Sequence, residues 1–287
     1  MDNKLNIQTW NPKSVPITPQ GLYVGMPNEV YHDSEGVSKS SLDLIHRSPA
    51  HYYHRSPYVP SRAMEIGTAI HTAILEPDAY ETDYVLLDVD ARTASEYKQA
   101  VKAVGSGRVL VKKEWQHVEG VATAVAMDPH AGPLFEGEGH NELSVIVENE
   151  HGITLRCRFD RLLKRGDRWL AVDLKKTRDA RPDKFSRSVT DYRYHVQVAW
   201  YSRVAALAGI DLAGFVFVAV EDAPPHGVRV YVIDDESVEI GRREAMEDLR
   251  VYTECVRSGH WPVYDTGPQL IGITPWAMRQ AMEQEDE

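Results

Sequence analysis

In the second half of the chain, apolar residues recur with two spacings. Some segments have them at every second residue, as in β-strands, and others at every three to four residues, as in helices. Five segments fit strands, either by alternation or as short apolar runs: residues 142–148, 153–163, 168–175, 213–220 and 228–233. Residues 192–208 have helical spacing and end at Gly209, a residue type that often follows a helix. Residues 235–258 predict a last long helix. The order predicts three antiparallel strands, a helix, two strands and a helix.

The residues before this part of the chain follow a mainly helical pattern. Residues 38–54 predict two short helices that are broken at Ser48-Pro49, and residues 61–75 predict one helix that stops before Pro77. Residues 92–127 alternate helical segments with a short apolar run. The fold class expected is therefore α/β, with a mixed central sheet flanked by helices and a mainly helical N-terminal part.

The two ends of the chain differ from this central part. Residues 1–36 are rich in Pro, Asn and Gly and show little periodicity, so we expect an extended N-terminal arm. Residues 281–287 are acidic, and we expect them to form a frayed tail. A single domain is expected over residues 37–280.

The composition, 43% hydrophobic and 26% charged residues, is that of an ordinary globular protein. No apolar stretch approaches the roughly 18 residues of a membrane helix, and the polar start of the chain predicts a protein of the cytoplasm. Cys157 and Cys255 are expected to be reduced core thiols. Because no Cys-x-x-Cys is present, a zinc ribbon or an iron–sulfur cluster is excluded.

The charge is distributed unevenly along the chain. The net charge is −11, which by itself argues against a polyanion-binding protein. Residues 161–193, however, hold eleven Lys and Arg against five Asp, which leaves −17 on the rest of the chain. This segment is either a local binding site for a polyanion or a solvated charged face, and charge alone does not separate the two.

The basic segment begins in a predicted β-hairpin that aligns two aspartates. Gly166-Asp167 suits a two-residue turn, because Gly tolerates positive φ. With that turn, Arg165 pairs with Arg168, and counting outward places Asp160 opposite Asp173. A register slip of one residue would separate the two carboxylates.

Alternation along the strands places Lys175 on the same face as both aspartates. The opposite face is expected to form the core, with Leu155, Cys157, Phe159, Leu163, Leu170, Val172 and Leu174. Two facing carboxylates repel each other, and a divalent cation would offset that repulsion. A nearby lysine can assist an attacking water and stabilise charge on a phosphate. The alternative is a solvent-facing hairpin in which Lys175 forms a salt bridge with one aspartate.

Four further polar residues are candidates for the same site. His71 lies between apolar helix positions and is either a metal ligand or a hydrogen-bonded core histidine. Gln197 and Tyr201 are one helical turn apart and can point to one site, or they belong to an ordinary amphipathic helix. Glu142 is an outer acidic ligand or an exposed strand end.

Taken together, these segments resemble the exodeoxyribonuclease VIII (RecE-like) family of phage and prophage recombination systems, a branch of the RecB-type PD-(D/E)xK nucleases. The resemblance covers most of the chain through residues 37–53, 67–71, 159–161, 172–175 and 194–201. A lone Asp-x-Lys carries little information, whereas the ordered set of His, Asp, Asp-x-Lys and Gln-x-x-x-Tyr is specific. Relatives usually have Thr directly after the catalytic Lys, but here Lys176 precedes Thr177.

The resemblance implies a role for each matching residue. The implied metal ligands are His71, Asp160, Asp173 and the backbone carbonyl of Leu174. The implied catalytic set is Asp160, Asp173, Lys175, Gln197 and Tyr201, with Glu142 as a secondary acidic member. Within the basic segment, the residues expected to contact DNA are Arg161, Lys176, Arg178 and Arg193.

The resemblance also implies an activity and its partners. The chain would digest one strand of linear double-stranded DNA from its 5′ end with Mg²⁺, for which Mn²⁺ would substitute, and leave a 3′ overhang for a RecT-like single-strand annealing protein. A homo-oligomeric ring, most simply a tetramer, is expected in the cytoplasm of a bacterial host, with no membrane association.

Two other functions remain open. A related structure-specific or endonucleolytic repair nuclease would have the same site residues. A catalytically inert DNA-end-binding adaptor would have a purely structural hairpin. A carboxylate-pair hydrolase of sugars is disfavoured, because it has no need of a basic segment.

Overall fold

The structure, a computed structural model, describes residues 5–11, 20–56, 59–264 and 267–283. Its strands are β1 (Ile7–Thr9), β2 (Gly21–Val24), β3 (Val85–Leu87), β4 (Val109–Val111), β5 (Gly139–Glu148), β6 (Thr154–Arg165), β7 (Arg168–Thr177), β8 (Leu212–Glu221) and β9 (Val228–Tyr231). Its helices are α1 (Asn28–Asp33), α2 (Lys39–Arg47), α3 (Pro49–Tyr53), α4 (Arg62–Leu75), α5 (Pro77–Asp83), α6 (Ser95–Val104), α7 (Lys112–Met127), α8 (Pro182–Asp191), α9 (Tyr194–Leu207), α10 (Asp235–Ser258) and α11 (Pro275–Glu283).

A seven-stranded mixed sheet organises the described part of the chain, with the strand order β1-β2-β5-β6-β7-β8-β9. Strands β5, β6 and β7 are antiparallel neighbours, β8 runs parallel to β7, and β9 runs antiparallel to β8. Strands β3 and β4 form a separate parallel pair. The mixed α/β fold with flanking helices is therefore confirmed, and so are the five predicted strands and the long helices α9 and α10. Helix α8 was not expected.

Both faces of the sheet are covered by helices. On one face, α2, α8, α9 and α10 pack on the sheet around the fully buried Trp200. On the other face, α4, α5 and α7 pack on it, with Ile70 and Val121 at the centre. A sheet buried on both faces places any polar group on it in a desolvated environment, and such a group needs a compensating partner. The polar side chains of the site on this sheet therefore need charged or hydrogen-bonding partners.

The prediction that one face of the hairpin is core and the other is polar was wrong. Phe159 belongs to the core under α9, whereas Val172 and Leu174 belong to the core under α4. The side-chain alternation of β6 therefore changes phase near Asp160. At the facing position of β5, Glu142 has a left-handed φ of 49° inside the strand. The β5–β6 register is the same on both sides of this residue, with Asn141 opposite Arg161 and Leu143 opposite Phe159.

The extended-arm prediction for residues 1–36 was also wrong for the part that the structure describes. Strand β2 pairs antiparallel with β5, with Leu22 opposite Val145, and Tyr23 and Tyr31 are buried beside Ile146. These contacts join segments more than 100 residues apart in the chain, so local periodicity did not predict them. Residues 1–4, 12–19 and 284–287, which belong to the predicted arm and tail, lie outside the described residues.

Two expectations from composition can be compared with the structure. Among the described residues, no helix is long and apolar enough to cross a membrane. Cys157 and Cys255 are both buried free thiols, as predicted, and burial raises the pKa of each.

Candidate metal-dependent active site

The hairpin between β6 and β7 has the predicted register. Arg165 pairs with Arg168, and the ladder continues to Arg161 opposite Val172. One position further, the Asp160 carboxylate accepts a hydrogen bond from the Leu174 backbone N–H, at 2.8 Å. This bond fixes the orientation of the Asp160 side chain on the sheet. The register therefore brings Asp160 to β7 beside Asp173, as the turn chemistry predicted.

Three possible metal ligands converge at this point of the sheet. They are His71 of α4, Glu142 of β5 and Asp160 of β6, and one ligand atom from each lies within 4.8 Å of the others. His71 Nδ1 is 3.6 Å from Asp160 Oδ2. Helix α4 is anchored to the sheet by the fully buried Ala69, which belongs to the same core as Val172 and Leu174 of β7. Glu142 lies inside β5, so its interpretation as an exposed strand end was wrong.

Asp173 lies in the same cleft but is turned toward two other groups. Its Oδ2 is 2.7 Å from Lys175 Nζ, and its Oδ1 accepts a hydrogen bond from Gln197 Nε2. Burial, and then the charge of Asp160, raises the pKa of Asp173 to about 6 despite the neighbouring ammonium group. Gln197 is itself buried. It therefore orients Asp173, a contact that the sequence did not predict.

Lys175 is held between negative charge and aromatic rings. Burial alone would lower its pKa, but the charges of Asp173 and Asp160 outweigh burial and raise it. The ammonium group also lies 4.8 Å from the ring centroid of Tyr194 and 5.7 Å from that of Phe217. Cation–π contacts of this kind stabilise the charged form. Lys175 is thus a fixed positive charge at the floor of the cleft.

The residues present fit a divalent cation. Burial and the charge of Asp160 raise the pKa of Glu142 to about 8, so its carboxylate lacks sufficient compensation from the nearby Arg158, at 3.8 Å. Among the described side chains, Asp173 Oδ2 is a buried oxygen without a hydrogen bond of normal geometry, although it is close to Lys175. Carboxylate oxygens with one imidazole suit Mg²⁺, Mn²⁺ or a similar ion. A bound cation would neutralise the excess negative charge.

An open cleft of about 700 Å³ gives access to these groups. Most of the predicted site residues line it: His71, Asp160, Asp173, Lys175, Gln197 and Tyr201. Tyr201 packs edge-to-face against Phe159, with ring centroids 5.2 Å apart, and burial raises the pKa of its phenol. Leu174 also borders the cleft, while the role predicted for its carbonyl as a ligand stays a prediction.

Two of the four residues predicted to contact DNA use their side chains inside the fold. Arg161 is buried and donates to Asn141 Oδ1 and to two backbone carbonyls. Arg193 forms ion pairs with Asp43, Glu244 and Asp248 at 2.7–3.1 Å. These contacts give both side chains a structural role. Arg193 also borders the cleft, and the DNA contacts predicted for the two residues stay predictions.

The other two basic residues, Lys176 and Arg178, are more exposed than Arg161 and Arg193. Lys176 borders the cleft and forms an ion pair with Asp222, at 3.0 Å. Arg178 is exposed at the end of β7. Their predicted contacts with DNA stay predictions.

Sequence reasoning assigned no role to several residues that the cleft brings together. Ser38, Lys39 and Ser40, at the start of α2, line the wall opposite the sheet. Lys39 Nζ donates to Asp43 and to the backbone carbonyl of Tyr192. The signal in the sequence was Ser38, a good helix-capping residue directly before the lysine. It located the helix start but not its position at the cleft.

Comparison with known proteins agrees with this geometry. A family profile described as a PDDEXK-like domain of unknown function (DUF3799) matches residues 38–268. A crystal structure from Eubacterium rectale, provisionally described as an exonuclease, aligns over 86% of this chain and 97% of its own. Its TM-score is 0.54 and its sequence identity 14%, so it supports the fold alone. A second solved structure, SSO0001, covers 67% of this chain and 87% of its own at 12% identity, and its TM-score of 0.28 carries no argument.

The chain has no significant match among curated proteins. The expected PD-(D/E)xK core is confirmed by the family profile and the fold. The profile spans most of the chain, and the protein therefore belongs to the family of the PDDEXK-like domain of unknown function, DUF3799.

Proposed function

We propose that the protein is a nuclease that hydrolyses DNA phosphodiesters with a divalent metal ion. One observation carries this proposal. His71, Glu142 and Asp160 offer ligand atoms within 4.8 Å of one another, in a cleft that also contains the buried pair of Asp173 and Lys175. Family membership and the fold support the same conclusion.

Each side chain has a separable task in this reaction. When bound, the cation supplies Lewis-acid polarisation of the phosphate and activates a water molecule. Lys175 stabilises negative charge on the phosphate with an ammonium group held by Asp173 and Tyr194. Gln197 holds Asp173 in one orientation. Burial of Asp173 and Gln197 at the cleft floor lowers the local dielectric constant, which strengthens these electrostatic interactions.

We infer a more specific activity from the ordered motif set. The enzyme digests one strand of linear duplex DNA in the 5′-to-3′ direction, as a RecE-like exonuclease, and leaves 3′ overhangs for a single-strand annealing partner. Mg²⁺ is the expected metal, with Mn²⁺ as a substitute. Lys176, which borders the cleft, and the exposed Arg178 are proposed to contact the DNA backbone. A ring, most simply a tetramer, would close around the duplex, and a clean monomer by light scattering at active concentrations would contradict this part.

The test uses linear duplex DNA labelled separately at its 5′ and 3′ ends, and covalently closed circular DNA, each with Mg²⁺ or with EDTA. We expect Mg²⁺-dependent loss of the linear substrate alone, with early release of the 5′ label. Lys175→Met should abolish the reaction. Lys164→Met is the matched control, because Lys164 is on the same hairpin but pairs with Glu138 at the surface. Full activity of the Lys175 variant would refute the assigned site.

The two alternative functions predict different outcomes in the same assay. Cutting of the circle would indicate an endonuclease, because an exonuclease needs an end. Binding of DNA ends without product under any metal would indicate an inert adaptor. The uncompensated buried carboxylates disfavour the adaptor, since a purely structural hairpin has no need of them.

A further inference from the structure

A line of aromatic rings runs from the surface of the protein to the floor of the cleft. Tyr192 borders the cleft and is 61% exposed. Its ring stacks on Tyr194, with centroids 5.7 Å apart and planes inclined by 24°. Tyr194 in turn stacks on Phe217, at 5.4 Å, and lies over the Lys175 ammonium. One face of Tyr192 is therefore used inside the protein, and its large exposed area leaves the other face accessible.

The backbone around Tyr192 holds this exposed ring in place. Its N–H donates to the Ser188 carbonyl, at 3.0 Å, and its own carbonyl accepts from Lys39. The next residue, Arg193, has a left-handed conformation with φ 52° and ψ 48°. The three carboxylates that bind the Arg193 guanidinium maintain this unfavourable conformation. An exposed aromatic ring on a rigid turn loses little entropy when it binds a ligand.

The charges beside Tyr192 restrict the chemistry of that ligand. Asp43 and Asp191 border the same part of the cleft, and Lys39 is already paired with Asp43, at 2.7 Å. Arg193, which also borders the cleft, is paired with Asp43, Glu244 and Asp248. A phosphate beside the ring would therefore meet the Asp191 carboxylate, and Lys39 and Arg193 already have carboxylate partners. A neutral planar group needs no cation and can stack on the open face of the ring.

We propose that Tyr192 is a stacking platform for an unpaired base of the DNA strand that enters the cleft. This inference rests on the proposed nuclease function, since it assigns a binding position to the strand being digested. Stacking of bases on aromatic side chains is a general means of binding single strands without sequence preference. Tyr192 would hold a base outside the duplex while the backbone reaches Lys175 and the metal ligands.

The first experiment measures binding in EDTA by fluorescence anisotropy. The probes are a labelled single-stranded oligodeoxynucleotide and the same backbone with abasic sites. We expect Tyr192→Ala to weaken binding of the normal strand by about tenfold, and to leave binding of the abasic strand unchanged. Tyr192→Phe should bind as the wild type. Tyr192→Leu keeps the bulk but not the aromatic ring, and it should weaken binding of the normal strand as Tyr192→Ala does. It replaces the alanine variant if the alanine variant fails to fold.

The matched control is Tyr53→Ala, because Tyr53 is 58% exposed and stacks on Trp261, at 5.3 Å, but does not line the cleft. The inference is overturned if Tyr192→Ala binds the normal strand as the wild type does, or loses affinity equally for the abasic strand. A cleavage assay with linear duplex DNA distinguishes failure of the stacking role from failure of the proposed nuclease function. A wild type that cleaves DNA while the Tyr192 variants keep full base dependence refutes the stacking role alone, and a wild type that neither binds nor cleaves refutes both.

Discussion

Replacing Asp173 with Asn should stabilise the metal-free protein, and the size of the gain should depend on pH. Asp173 is only 3% exposed, and burial raises its pKa from 3.8 to about 6. Each pKa unit corresponds to about 1.36 kcal/mol, so the ionised carboxylate destabilises the fold by roughly 3 kcal/mol at pH 8. Because the folded pKa is the higher one, the stability present below pH 3.8 is lost as the pH rises through 6.

Asparagine removes this loss, because it is neutral at every pH and its carbonyl can still accept from Gln197. Lys175 loses its anionic partner, which offsets part of the gain. We therefore expect Asp173→Asn to raise the free energy of unfolding by roughly 1–3 kcal/mol at pH 8, with a smaller gain at pH 4.5. Nuclease activity should be lost in the same variant.

Urea unfolding in EDTA at pH 4.5, 6 and 8 measures this difference. Asp211→Asn is the control, since Asp211 is a surface carboxylate paired with Arg168, outside the cleft. Its effect on stability should be small at each pH. A destabilised Asp173→Asn at pH 8, or a gain of the same size at every pH, would refute the argument. Excess Mg²⁺ should reverse the ranking by stabilising the wild type preferentially.

Glu142, Gln197 and Arg193 each have a contact or a pKa shift that a single substitution can test. Burial raises the pKa of Glu142 to about 8, so this carboxyl should release a proton when Mg²⁺ binds at pH 7. Calorimetry in buffers of different ionisation enthalpy measures the number of protons released, which should be smaller for Glu142→Gln. Gln197→Ala should lower metal affinity or activity by about 10- to 100-fold, because Asp173 loses its orienting donor. Arg193→Ala should lower stability by about 3–5 kcal/mol in thermal or urea unfolding, because it removes the guanidinium that compensates the buried carboxylate of Asp248.

Each of these predictions has a contradicting result. Proton release that is equal in wild type and Glu142→Gln would assign the raised pKa to another group. Full activity of Gln197→Ala would show that Asp173 needs no such support. A stable Arg193→Ala variant that has lost DNA binding would instead support Arg193 as a DNA contact.

The local parts of the site could be predicted from the sequence. The Gly166-Asp167 turn sets the register of the hairpin, because two-residue turns allow few geometries. Gln197 and Tyr201 share a helix face because they are four residues apart. Both statements depend on neighbours in the chain, and local backbone geometry is sufficient for them.

Other features depended on contacts between distant segments. No local pattern predicted the left-handed backbone of Glu142 or the change of side-chain phase in β6 near Asp160. The pairing of β2 with β5 turned part of the expected arm into a strand of the sheet. The sequence shows the charges of Arg161 and Arg193, but neither the burial of Arg161 nor the three carboxylate partners of Arg193.

The sequence by itself determined which chemical groups are present and how each is arranged along its own strand or helix. Only the tertiary structure decided which groups meet, such as His71 of α4 with Glu142 of β5, and which charges are consumed inside the fold. The physical reason is that pKa, ion pairing and exposure depend on desolvation and distance. Both are set by packing between segments far apart in the chain, and local residue patterns carry no information on them.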